Sequence, residues 1–253
     1  MRSLCTKLLV VAVACALVGC AERGDSIQAR LERADRLLAQ GKIAPARLLI
    51  EEAIRMRPSR SDTYRTVAAI YARHERTREA ARTIERLLEL ARAGKLDEAI
   101  SREELAHLHS ALGELYQKLR ALSQAESAYR TALSVAPRSA LLMNNLAYFY
   151  ADEGLKLTEA LRLARMAVTL APADGNVVDT LGWVQYKLGR YRCAARTLAE
   201  AVRLKPDEPV LRYHLGAAYA RLGRRFEAYV ELKKALLLNP GMREAANLLR
   251  RLR

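Results

Sequence analysis

Residues 175–208 read GNVVDTLGWVQYKLGRYRCAARTLAEAVRLKPDE, and residues 209–242 read PVLRYHLGAAYARLGRRFEAYVELKKALLLNPGM. Laid one over the other, the strings agree at Gly182 and Gly216, Gly189 and Gly223, Ala194 and Ala228, Ala201 and Ala235, and Pro206 and Pro240, each pair 34 residues apart. Pro172 stands 34 residues before Pro206, and Pro137 another 35 before that. A fixed period of this length marks an array of small units, none of which buries a core alone. Composition agrees. With 51% hydrophobic residues the 253-residue chain is not disordered. With 6% aromatics, 12 Gly and 7 Pro it lacks the strand and turn residues of an all-β fold.

Working outward, the same spacing recurs six times. The sixth unit, 209–242, carries Leu215, Gly216, Tyr219, Gly223, Ala228, Leu232, Ala235 and Pro240. The fifth, 175–208, carries Leu181, Gly182, Gly189, Ala194, Leu198, Ala201 and Pro206, with Gln185 and then Tyr186 where Tyr219 sits in the sixth. The fourth, 140–174, has Leu146, Ala147, Tyr150 and Gly154, then one extra residue before Ala160, Ala167 and Pro172. The third, 106–139, has Leu112, Gly113, Tyr116, Ala125, Tyr129, Ala132 and Pro137, with Arg120 in place of the turn glycine. The second, 61–94, keeps Val67, Ala68, Tyr71, Ala80 and Ile84. The first, 27–60, keeps Ala34, Gly41, Ala46, Ile50, Ala53 and Pro58. The pattern resembles the tetratricopeptide repeat (TPR), with Leu at position 7, a small residue at 8, Tyr at 11, Gly at 15, Ala at 20 and 27, a large apolar residue at 24 and Pro at 32. The resemblance implies an all-α, right-handed α-solenoid of about six helix-turn-helix units. Small residues at 8, 20 and 27 let helices approach, and large ones at 11 and 24 fill the space left. Pro45 and Pro209 fall in first turns, where the missing N–H costs little. Residues 243–253 form an amphipathic capping helix. The eleven-residue insertion 95–105 reads as a short loop at Gly94-Lys95 and a lengthened first helix of unit three, with Ser101 and Glu104 in capping-box spacing. It is either a partner contact or a benign loop insertion.

The N-terminus carries a different signal. Arg2 and Lys7 precede an uncharged apolar run, Leu8 to Val18, too short for a bilayer span of roughly 20 residues. The run ends in Leu17-Val18-Gly19-Cys20, which resembles the lipobox of bacterial lipoproteins. That resemblance implies a signal peptide over 1–19 that is removed, acylation of Cys20 (hence palmitate and membrane attachment) and a short tether over 20–26. Ala21, where an Asp favours the inner membrane in enterobacteria, implies the periplasmic face of the outer membrane in a diderm host. Cys5 and Cys15 leave with the leader, so Cys193 is the one remaining thiol.

No catalytic motif is present: no Gly-rich phosphate loop, nucleophile elbow, His-Glu-x-x-His or Cys-x-x-Cys. His107 and His109 are two apart and diverge on a helix. His74 falls in an inter-helix turn, where solvation is expected. Cys193, near the start of a second helix with no His beside it, reads as a small packing residue. The expectation is a non-enzymatic protein with no cofactor and no metal.

In the TPR fold positions 2, 5, 6, 9, 12 and 13 of each first helix face a partner groove. Carried over, the groove residues are Asn144, Asn145, Tyr148 and Asp152 of unit four. Unit five adds Asn176, Asp179, Thr180, Trp183, Tyr186 and Lys187, and unit six Tyr213, His214 and Arg221. Asn suits an extended peptide backbone, and Trp and Tyr are favoured anchors. Tyr186, displaced by one place, reads equally as groove or core. The carboxylate clamp of chaperone-type TPR domains is not formed: starting at unit three the positions hold Ser110, Glu114, Asn145, Asn176 and Thr180. The net charge of +15 points to anionic surfaces or to solvated Arg-rich helices. Arg73, Arg76, Arg78, Arg82 and Arg86 cluster in unit two, and Arg224, Arg225, Arg250, Arg251 and Arg253 at the far end. Export and the lack of a basic-aromatic platform argue against nucleic acid. The expectation is therefore a lipid-tethered envelope scaffold or adaptor with protein partners, serving a secretion, pilus, barrel-assembly or polysaccharide-export complex. The alternative is a protein that binds anionic glycan or lipopolysaccharide.

Overall fold

The structure, a computed structural model, describes residues 26–252. Among these residues there are thirteen α-helices and no strand. In chain order they are α1 Ile27–Ala39, α2 Ile43–Met56, α3 Ser61–Arg73, α4 Thr77–Arg92, α5 Arg102–Lys118, α6 Leu122–Val135, α7 Ala140–Glu153, α8 Leu157–Leu170, α9 Gly175–Lys187, α10 Tyr191–Leu204, α11 Pro209–Arg221, α12 Arg225–Leu238 and α13 Arg243–Arg251. The lipobox and Cys20 lie outside the described residues.

The turns inside the hairpins explain the fifteenth position. Gly41, Gly154, Gly189 and Gly223 have φ between +69° and +75°, the left-handed region that glycine enters without a Cβ clash. In units two and three the same place is held by Glu75 (φ +57°) and Arg120 (φ +60°). The turn is therefore imposed by the hairpin, and there a side chain bears its cost. Second helices end near the predicted prolines, and Pro209 is the first residue of α11.

Two compact units divide the chain near Ser101, with Lys118–Arg120 grouping with the first. In the first unit α1 packs on α2 and α3, and α3 on α4. Ala34, Ala46, Ala53, Val67, Ala80 and Leu87 are completely buried there. The insertion is divided between a loop and a helix. Its loop runs to Ser101 rather than ending at Lys95, and the remainder lengthens α5 to 17 residues. The loop is pinned in the first unit: the Asp97 N–H donates to Ser59 O at 3.0 Å, and Glu98 pairs with Arg60 at 3.4 Å. His74 is not solvated as expected. Its Nε2 lies 2.8 Å from Asp35 Oδ1, and the same carboxylate takes Arg73 at 2.5 Å.

In the second unit the close approach of helices is visible atom by atom. A Cβ added to Gly182 would stand 2.6 Å from Leu198 Cγ, and one on Gly216 2.8 Å from Leu232 Cγ. One on Gly113 would stand 2.9 Å from the Tyr129 ring. Position 8 is thus small because position 24 of the facing helix occupies its space. Leu232 and Ala235 of α12 then pack with Ala245 and Leu249 of α13, which covers the last hairpin. Cys193 departs from expectation: it is exposed, its Sγ 3.8 Å from an Arg196 nitrogen. The packing role near it is taken by fully buried Ala194.

Glycine to alanine within a helix ordinarily gains about 1 kcal/mol. For Gly182→Ala we expect the reverse, a loss of about 1–3 kcal/mol, because Leu198 is fully buried and cannot yield. Urea unfolding followed by the fluorescence of Trp183, the sole tryptophan, measures it. Glu75→Gly, by contrast, relieves a left-handed side chain and is expected to stabilise the first unit by about 0.5–1 kcal/mol in thermal unfolding followed by circular dichroism.

Candidate functional site

The first helices of the last four repeats, α5, α7, α9 and α11, lie side by side in the second unit, joined by contacts between residues 35 apart. Asn145 Nδ2 donates to Ser110 Oγ at 3.0 Å. His214 Nδ1 lies 2.8 Å from Asp179 Oδ2 and 3.1 Å from Oδ1. Both contacts join position 5 of one repeat to position 6 of the next. Ser110, Asp179, Thr180 and His214 are all buried. A carboxylate only accepts, so His214 carries its proton on Nδ1 toward Asp179. A second line of contacts runs lower on the helices: Gln117 Nε2 donates to Asp152 Oδ2 at 3.2 Å, and Lys187 Nζ to Asp152 O at 3.2 Å.

Trp183 is the centre of an aromatic stack. One face lies on His214 (centroids 4.0 Å apart, planes 13°), the other on Tyr186 (4.7 Å, 4°). Tyr213 tilts against the same ring at 6.3 Å, and Tyr186 meets Tyr191 edge-on at 5.4 Å. Lys187 Nζ stands 5.1 Å from the Trp183 ring, and the Arg221 guanidinium 4.7 Å from the Tyr191 ring. Tyr148 packs against the cluster that holds Trp183. Burial, with Asp152 and Asp179 adding to it, pushes the Tyr148 phenol up to about 12. Burial likewise raises Tyr186, against the opposing Arg221, and Tyr213.

Four expected groove residues are therefore interior ones. Trp183 is 7%, Asp179 4%, Thr180 3% and His214 2% exposed. The contacts between repeats five and six account for Asp179, Trp183 and His214: Asp179 bonds His214, and Trp183 stacks on His214 and on Tyr186, which stands one place late. Asn176 is exposed but accepts from Lys205 Nζ on α10 at 3.2 Å, across the hairpin. Arg221 is exposed at the end of α11. Asn144, Asn145, Tyr148, Tyr186, Lys187 and Tyr213 remain partly exposed around the stack. Two buried atoms of this region have no hydrogen-bond partner among the described residues: Asn144 Oδ1 and Trp183 Nε1. Gln117, which the motif reading passed over, joins two repeats. Its place at position 12 of unit three was the available signal.

Several of the clustered arginines are ion-paired. Arg73 pairs with Asp35, Arg76 with Glu79 at 2.5 Å, Arg86 with Glu89 at 3.1 Å and Arg224 with Glu227 at 2.7 Å. Among the described residues no group of three or more His, Cys, Asp or Glu could hold a metal ion, and no helix is long and apolar enough to cross a membrane.

A family model for the tetratricopeptide repeat matches residues 110–175 and 180–228. A TPR repeat-containing protein of Pseudomonas aeruginosa is 28% identical over 193 residues, 76% of this chain and 31% of that protein. Superkiller protein 3 of Schizosaccharomyces pombe is 26% identical over 47% of this chain and 9% of its own length. The BBSome complex member BBS4 homolog of Drosophila melanogaster is 24% identical over 78% of this chain and 38% of its own length. The chain thus spans well under half of each of these relatives. Among solved structures, the APC/C hetero-tetramer Cut9-Hcn1 has a TM-score of 0.66 at 17% identity, covering 90% of this chain and 42% of that one. YrrB, described as a TPR protein with an unusual peptide-binding site, has a TM-score of 0.51 at 19% identity, covering 79% of this chain and 97% of that one. At such identities the likeness is one of fold.

Asp179→Ala leaves a buried imidazole without its acceptor. We expect a loss of about 2–4 kcal/mol in urea unfolding of the second unit, and a smaller loss for Asp179→Asn, which keeps an acceptor oxygen. Tyr148 gives a pH prediction. Its folded pKa stands above the ordinary value of 10.0, so its contribution is full below that value and is lost as pH rises through about 12. Tyr148→Phe should remove that component from a phenolate absorbance titration and flatten the alkaline fall in stability over the same interval.

Proposed function

Because the chain belongs to the tetratricopeptide-repeat family, we propose that it is a non-enzymatic scaffold whose last four repeats hold a protein partner as an extended segment. The observation that carries this reading is the pair of unsatisfied atoms, Asn144 Oδ1 and Trp183 Nε1. Buried polar groups are nearly always paired, and leaving one unpaired costs about 1–3 kcal/mol. Both atoms are themselves buried, so a peptide N–H reaches the amide oxygen, and a peptide C=O the indole, only where the partner displaces the side chains that cover them. Tyr148, Tyr186 and Tyr213 around them offer apolar faces to side chains. YrrB, a fold relative, is described as binding peptide, which supports a peptide use of such repeats.

We further propose that the scaffold acts in a bacterial cell envelope, tethered through an acylated Cys20 and assembling or stabilising a secretion, pilus, barrel-assembly or polysaccharide-export complex. Support for this part is the lipobox resemblance at Leu17-Val18-Gly19-Cys20 with its charged, short apolar leader. More than one acyl chain makes such anchoring stable. The alternative, a glycan or lipopolysaccharide ligand on the Arg-rich surface, draws less support, because three of the five clustered arginines in repeat two are held by carboxylates.

A photo-crosslinking residue placed at Asn144 should capture a specific envelope protein from living cells, and Tyr148→Ala with Tyr213→Ala should reduce capture at least about tenfold. Capture that is undiminished by these changes would remove the groove reading. Mass spectrometry of Cys20 and fractionation of Cys20→Ser test the tether separately: an unmodified thiol, or equal membrane recovery of the variant, overturns it.

A further inference from the structure

The outward face of α12 differs from every other second helix in the array. Positions 18, 22 and 29 of the repeat point away from the hairpin. They hold Ala44, Leu48 and Arg55 in the first unit of the repeat array, then Arg78, Arg82 and Glu89 in the second. Ser123, Ser127 and Ser134 follow in the third, Thr158, Arg162 and Thr169 in the fourth, and Arg192, Arg196 and Arg203 in the fifth. In the sixth they are Phe226, Val230 and Leu237. With Lys233 these make an i, i+4, i+7, i+11 line along α12, opposite the fully buried Ala228, Leu232 and Ala235. Phe226 is 76% and Leu237 80% exposed, the two most exposed large apolar side chains among the described residues. Tyr229 on the flank is also exposed, with Lys233 Nζ 6.0 Å from its ring.

The unpaired charges on α12 itself have one sign. Both carboxylates of α12 are turned to the sides and occupied, Glu227 by Arg224 and Glu231 by Arg212 at 2.7 Å and Lys234 at 3.2 Å. Arg225 and Lys233 have no carboxylate partner among the described residues. On the other side of α12, α13 exposes Arg243, Arg250 and Arg251 together with Glu244.

We infer that the α12 ridge docks on an anionic lipid surface, with Phe226 and Leu237 entering the headgroup boundary and Arg225 and Lys233 meeting phosphates. Two other occupants fit less well. A partner helix laid along the line would make Lys233 a core position of the seam, which costs stability, whereas at a lipid boundary its stem lies along Tyr229 and its ammonium reaches the headgroups. A second copy packed by two-fold symmetry would set the same cations against each other. The inference does not depend on the groove or on Cys20.

The test uses the full chain carrying Cys20→Ser, so that no acyl chain contributes, in sedimentation with vesicles of phosphatidylcholine alone or mixed with phosphatidylglycerol. Binding to the mixed vesicles, weaker on phosphatidylcholine and weakened by salt, is expected. Phe226→Ala with Leu237→Ala should reduce it on the order of tenfold or more, with helical content unchanged because both sites are exposed. Arg225→Glu with Lys233→Glu should remove the preference for phosphatidylglycerol. No vesicle binding, or binding equal in the alanine pair, overturns the inference. So does a dimer in analytical ultracentrifugation that the alanine pair dissociates, which assigns the ridge to a second copy. Ridge-dependent binding of a synthetic Leu/Glu amphipathic helix in place of vesicles assigns it to a protein. Asn144→Ala should leave vesicle binding intact, and the ridge variants should leave crosslinking from Asn144 intact, so either reading can fail alone.

Discussion

The contact between position 8 of a first helix and position 24 of its partner sets everything else in the hairpins. At Gly182 and Gly216 the leucine of the facing helix sits where a Cβ would be. This approach brings the two helices of a hairpin close, and the left-handed residue at position 15 closes the turn between them. Once hairpins are that narrow, successive first helices in the second unit come near enough for position 5 of one to bond position 6 of the next. The polar contacts Ser110–Asn145 and Asp179–His214 join successive first helices at that spacing.

What was legible in the sequence follows from where each constraint acts. Small residues at 8, 20 and 27, a left-handed turn at 15 and a proline at 32 are local backbone requirements, so they recur at a fixed period and can be read off one chain. Even the exceptions are informative. Glu75 and Arg120 hold the left-handed conformation without being glycine, which shows the hairpin enforcing a geometry its residue disfavours. The long α5 could be read, but the loop before it could not, because its fixation on Ser59 and Arg60 joins residues far apart in sequence.

The site was less legible because burial between repeats is not periodic. Trp183, Asp179 and His214 occupy positions that face a groove in the repeat pattern. They are interior here because the neighbouring repeat meets them: Asp179 bonds His214, His214 stacks on the indole, and Tyr186, shifted by a single place, stacks on the same ring. The same reasoning governs the two misplaced surface assignments. Cys193 is exposed because Ala194 beside it takes the packing position, and His74 is drawn from solvent by a carboxylate 39 residues away. A repeat register fixes which helix face a residue occupies. It does not fix what the neighbouring repeat puts over it.

Net charge is the poorest guide of all until pairs are assigned. Of the arginines that make the chain basic, Arg76, Arg86, Arg203 and Arg224 close i, i+3 contacts with nearby glutamates, which add little at exposed sites. What survives is uneven. The groove side of the second unit is aromatic and polar, built of amide, phenol and indole groups with Lys187, Asp152 and Arg221 among them. The end of the same unit, at α12, is apolar and cationic with its carboxylates occupied elsewhere. A directional surface suits a ligand with fixed hydrogen-bonding geometry, since an unpaired buried atom rewards only a group placed to meet it. A ridge of protruding apolar tips and mobile cations has no such geometry and rewards a partner that deforms to it. Two surfaces of different chemistry on the second unit allow a protein segment to be held by one while the other rests against something fluid.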